Sequence, residues 1–103
     1  MSIQEKFQDV KEWLEDKAEY QIWEARNEYN HDLDKLASKY KAFFQNAEIK
    51  GIHFNCNAVA NITSMREKTE QSLLDALEVQ INSIREMAEK NIEAERQKYA
   101  NNY

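Results

Sequence analysis

The sequence predicts an all-α protein: an antiparallel hairpin of two long helices, paired with a second hairpin into a four-helix bundle or a higher homo-oligomer. Three observations carry this. Among 103 residues there is no proline and a single glycine, so almost nothing in the chain breaks a helix. Charged residues make up 32% of it and β-branched residues are sparse, a balance that suits long solvated helices and not a sheet. Apolar positions recur at steps of three and four along both halves, on either side of a short link that holds the glycine.

Helix one is predicted over about 3–48 by the stripe Ile3, Phe7, Val10, Leu14, Ala18, Ile22, Ala25, Tyr29, Leu33, Leu36, Tyr40, Phe43 and Ala47. Its mean step is about 3.67 residues, the period of an eleven-residue repeat, which runs straight or with slight right-handed supercoil. Gly51 stands where a left-handed C-terminal cap belongs, and Lys41 and Lys50 lie near the negative end of the helix dipole. The link, about 49–60, is more apolar than a solvated turn requires: Ile49, Ile52, Phe54 and Val59 predict an ordered, packed hinge. Asn55, Asn57 and Asn61 each suit an N-cap, and Ser64 with Glu67 has capping-box spacing.

Helix two is predicted over about 61–101. Its stripe runs Ile62, Met65, Thr69, Leu73, Leu77, Ile81, Ile84, Ala88, Ile92, Glu95, Tyr99 and Tyr103, with nearly the same period, so the two helices are expected to be neighbours along their length. Glu95 interrupts it near the open end and predicts looser packing there. No internal repeat stands out beyond these matched stripes. The whole chain, 1–103, reads as one domain. A lone hairpin buries one seam, which is little core for a chain of this size. Self-association is the expected remedy, most simply as a dimer.

The formal net charge of −5 is unevenly spread. Residues 1–34 carry ten acids against four bases, residues 35–68 six bases against two acids, and residues 69–103 seven acids against four bases. The segments therefore stand at −6, +4 and −3: an acidic chain with a basic middle. No run of about 18 apolar residues predicts a membrane span, and the first residues lack the basic and apolar regions of a signal peptide. A cytoplasmic location is the default expectation, and a single cysteine fits a reducing compartment.

Two surfaces offer partner-binding chemistry. On a helical wheel Trp13, Tyr20 and Trp23 fall opposite the core stripe, among Glu12, Asp16 and Glu24. Large aromatics there have no partner within a hairpin, and Trp and Tyr are the usual anchors of protein interfaces. The plainer reading lays them over neighbouring Lys and Glu stems. The second surface is the hairpin tip, which collects Lys35, Lys39, Lys41, Lys50, Arg66 and Lys68, with Phe44, Ile52 and Phe54 free among them because Phe43 belongs to the core stripe. Basic residues interleaved with aromatics can hold nucleic acid or an anionic small ligand, although six bases are sparse for that work.

Catalytic and metal chemistry find less footing. Glu28 and His31 have Glu-x-x-His spacing, but the pair occurs once and faces away from the core stripe. Cys56 near His53 lacks a third orienting group and an oxyanion cradle, so an inert link residue is expected. No phosphate loop or zinc-ligand cluster is present in the sequence. The expectation is a non-enzymatic interaction module without a cofactor, working as an adaptor, inhibitor or assembly factor through the aromatic and acidic ridge. The alternative is an oligomeric ligand- or nucleic-acid-binding module that works through the basic tip.

In length and layout the chain resembles, in shape only, the small secreted Trp-x-Gly hairpins exported by type VII systems. At the turn it reads Ile49, Lys50, Gly51, without the Trp, and Tyr99 is followed four residues later by Tyr103 in place of an acid, so no membership is assigned. Similar hairpins recur among small phage- or plasmid-encoded inhibitors and assembly factors, and the shape alone does not separate these roles.

Overall fold

A computed structural model describes residues 2–101, which form two helices, α1 (Ile3–Ile49) and α2 (Cys56–Asn101). Among the described residues there is no strand. Ser2 caps α1: its Oγ accepts from the Glu5 N–H at 3.1 Å, and its carbonyl accepts from the Lys6 N–H at 3.2 Å. The first of these satisfies an orphan donor of the first turn, and the second is the first regular bond of the helix.

The hinge follows from backbone chemistry. Gly51 adopts φ = 72°, the left-handed conformation that glycine enters without a Cβ clash. The Ile52 N–H then donates to the Ala47 carbonyl at 2.8 Å and the Gly51 N–H to the Glu48 carbonyl at 3.0 Å, the two bonds of a Schellman cap. Gly51→Ala is expected to cost about 1 kcal/mol, a purely backbone penalty because an added Cβ meets nothing within 4 Å. A urea midpoint unchanged from wild type would refute the strain argument.

Helix two starts earlier than the predicted position near 61. Asn55 is the cap that wins: its Oδ1 accepts from the Ala58 N–H at 2.8 Å, and its carbonyl from the Val59 N–H at 3.1 Å. The link therefore shrinks from the expected 49–60 to 50–55, and Ser64, read as a capping-box residue, lies inside α2. Phe54 helps to hold the link short, with its ring 5.6 Å from Phe43 and 5.9 Å from Phe44. Of the other apolar link residues, Ile49, Ile52 and Val59 remain exposed. Asn55→Ala should lower stability by about 1 kcal/mol, and Asn57→Ala and Asn61→Ala much less. Equal losses at all three would show that the cap is shared.

The chain divides into two compact units, each an antiparallel pair of helix segments: Met1–Arg26 with Glu78–Tyr103, and Asn27–Leu77. In the first, Phe7, Val10, Leu14, Ala18, Ile22 and Ala25 turn inward, as do Ile81, Ile84, Ala88, Ile92, Glu95 and Tyr99. Ile22 is the best-buried large side chain, only 1% exposed, between the buried Ala18 and Ala25. Glu95 keeps its place in the stripe, half-buried. Near it the Phe7 and Tyr99 rings stand 6.1 Å apart and the Arg96 guanidinium lies 5.6 Å from the Phe7 ring, so aromatic contacts compensate for the interrupted apolar run. Tyr103 lies outside the described residues.

In the unit Asn27–Leu77 the seam departs from the predicted stripes. Phe44 turns inward where Phe43 was expected, and Phe43 is 47% exposed. On α2, Arg66 and Glu70 take the half-buried positions assigned to Met65 and Thr69, which are exposed. The two polar side chains at these positions pair with each other and stay 41% and 39% exposed. Arg66 Nε donates to Glu70 Oε1 at 2.8 Å, and its guanidinium lies 5.8 Å from the Tyr40 ring, so long side chains pack their stems while their heads are partnered.

Candidate interaction surfaces

The outer face of α1 in the first unit bears the aromatic ridge where the wheel placed it. Trp13, Tyr20 and Trp23 are 57–61% exposed. Tyr20 and Trp23 sit one turn apart, which lets their rings stack at 5.8 Å with planes 23° apart. Lys17 Nζ lies 5.3 Å from the Trp13 ring centre. The aromatics are thus ordered by their own helix without being covered by it. Glu12, Asp16 and Glu24 are exposed around them. Glu12 accepts from Gln8 Nε2 at 3.3 Å, while Asp16 and Glu24 enter no ion pair among the described residues.

The basic set is less uniform than its sequence suggests. Lys35, Lys39, Lys41, Lys50 and Lys68 are exposed, but Arg66 is committed to Glu70 and Tyr40. Glu28 and His31 both face solvent, and among the described residues no three His, Cys, Asp or Glu side chains gather as a metal site would need. Cys56 carries an exposed free thiol and His53 is exposed. No described helix is long and apolar enough to cross a membrane.

Beside these surfaces lie side grooves that the sequence reading missed, two of which share a pattern of lining residues. The wider, ≈ 320 Å³, lies in the unit Asn27–Leu77 and is lined by Leu36, Lys39, Tyr40 and Phe43 from α1 and by Ile62, Met65 and Thr69 from α2. The narrower, ≈ 120 Å³, lies in the other unit and is lined by Leu14, Lys17, Ala18 and Gln21 with Ile84, Met87, Ala88 and Asn91. On both helices the second set, Ala88 apart, is the first displaced by 22 residues: Leu14 and Leu36, Lys17 and Lys39, Ile62 and Ile84, Met65 and Met87. Twenty-two residues are two eleven-residue repeats, the period of the apolar stripes. The signal was in the sequence, most visibly in "ITSMREKT" at 62–69 and "IREMAEKN" at 84–91, which share Ile, Met, Glu and Lys. No family model, curated protein or solved structure matches the chain.

Proposed function

We propose that this protein is a non-enzymatic interaction module: a self-associating helical hairpin whose outer ridge docks on a protein partner as an adaptor, inhibitor or assembly factor. One observation carries the reading. Three large aromatics stand more than half exposed on one face of α1, two of them stacked on each other and the third beneath a lysine. Pre-ordered Trp and Tyr lose little conformational freedom on binding, and such residues dominate interface energetics. The exposed Asp16 and Glu24 add a charge that selects a basic partner surface. The chain itself exposes 8172 Å², against roughly 6,100 Å² for a compact monomer of this size, and this excess supports the self-association. The test compares proteins retained by the wild-type chain and by the double variant Trp13→Ala, Trp23→Ala.

A second reading assigns function to the basic tip, on the observation that Lys39 rims the wider groove with four more exposed lysines in the same unit. It predicts binding of a fluorescent single-stranded oligonucleotide that weakens steeply with salt, and a log–log salt slope reduced by about 1.4 in Lys39→Glu, Lys41→Glu, roughly 0.7 per lost phosphate contact. The aromatic-ridge reading predicts no salt-sensitive oligonucleotide binding. Titrations from low to high salt separate the two.

A further inference from the structure

We infer that a second copy of this chain packs on the wide-groove edge of the unit Asn27–Leu77, antiparallel to the first and about a two-fold axis that passes Leu36 and Thr69. This names the face of the self-association proposed above and rests on that reading, but it uses a different surface from the aromatic ridge. The two edges of the seam in this unit differ. One holds a groove of ≈ 170 Å³ lined in part by Lys41 and Arg66, where Arg66 is paired with Glu70. The other holds the wide groove, beside which Phe43 and Met65 stand 47% and 62% exposed. Apolar burial therefore favours the second edge.

The occupant follows from a residue pattern that complements its own reversal. On α1 this edge carries Tyr29, Asp32, Leu36, Lys39 and Phe43, at alternating steps of three and four, which keep them along one side of the helix. Reversing the run about Leu36 sets Asp32 against Lys39 and Tyr29 against Phe43. Asp32 is half-buried and Lys39 exposed, and neither enters an ion pair among the described residues. Within one chain they stand two helical turns apart, about 10 Å along the axis, so they meet only between chains. On α2 the same edge carries Ile62, Met65, Thr69, Ser72 and Ala76, again at alternating steps of three and four, and without a charge. Reversed about Thr69, Ile62 faces Ala76 and Met65 faces Ser72, large against small. Leu36 and Thr69 line the same groove, so one axis serves both helices, with α1 laid on α1 and α2 on α2 of the other copy. An isologous two-fold interface needs this reciprocity, position i meeting j while j meets i, and a second copy supplies it by construction.

Sedimentation equilibrium of the full chain at micromolar concentration should show a dimer, with a melting temperature that rises with protein concentration. Asp32→Lys and Lys39→Asp, each alone, should weaken dimerisation about tenfold, because a two-fold axis makes every such change act twice. The two combined should restore it, since the charges are exchanged and the pairing is kept. The register is read by crosslinking. In a Cys56→Ser background, which removes the single native cysteine, Thr69→Cys should yield a disulfide-linked dimer on mild oxidation and Met65→Cys should not, because only a residue on the axis meets its own copy at disulfide distance. A monomer would overturn the self-association itself and this face with it. A dimer indifferent to both single charge changes, a combined variant as weak as the single ones, or crosslinking through Met65→Cys in place of Thr69→Cys would each overturn the face while self-association stands. Trp13→Ala with Trp23→Ala should leave the dimer unchanged, so loss of partner binding at the ridge and loss of this interface are separate outcomes.

Discussion

Replacing Ile22 with Ala is expected to destabilise the protein by about 2–5 kcal/mol, the range for truncating a buried Ile, Leu or Met. Ile22 is 1% exposed, while few other side chains are buried at all. A domain of this size has a total stability of only about 5–15 kcal/mol, so a single truncation can remove a large share of it. The measurement is urea unfolding at fixed protein concentration, because self-association would otherwise shift the midpoint. Val79→Ala is the control: Val79 is 69% exposed and should change stability by no more than about 0.5 kcal/mol. An Ile22→Ala loss no larger than the Val79→Ala loss would mean that the seam between α1 and α2 does not hold the fold.

Trp13→Ala with Trp23→Ala is expected to abolish partner binding while helix content stays at the wild-type level. An interface anchor of this kind contributes about 2 kcal/mol or more on truncation, roughly 30-fold in affinity, and two anchors together take a micromolar interaction out of reach. The fold should tolerate the change because both rings stand clear of the core and Ala is the stronger helix former. The measurement is quantitative mass spectrometry of retained proteins, followed by calorimetry with each protein that the wild type alone retains. Tyr20→Ala removes the stacking partner of Trp23 and should weaken binding less than either Trp change. If every retained protein binds the double variant equally well, the ridge is a solvated face and the reading fails.

Much of the fold was legible because helix-breaking chemistry is so rare in this chain. With one glycine and no proline, the place of the turn is almost forced, and Gly51 sits there in the left-handed conformation. The stripe of helix one faces inward except at Phe43. At the tip, steps from Leu36 through Tyr40 can reach Ala47 by way of Phe43 or Phe44, and the sequence does not distinguish them. The ring of Phe54, from outside the helix, touches both.

Helix two was harder to read for a different reason. An apolarity stripe assigns Met65 and Thr69 inward and Arg66 and Glu70 outward, yet the polar residues are the less exposed ones, paired with each other and with Arg66 beside the Tyr40 ring. Three asparagines offered equal caps, and only the short link selected Asn55. The aromatic ridge was visible from helical spacing alone. The grooves were not, because each needs side chains from both helices, and their 22-residue repeat is faint where half the matched residues differ.

What the sequence determined by itself is local: two helices, the hinge between them, and which residues of helix one face away from the seam. Those properties depend on backbone conformation and on spacing within one helix, both of which are written residue by residue. The tertiary structure decided which of two adjacent positions enters the seam, which asparagine caps α2, and that Arg66 is held by Glu70 and Tyr40 while the five lysines of its unit stay exposed. Each of those depends on the energy of a contact between residues that no periodicity relates, so it is settled only when the second helix is laid against the first.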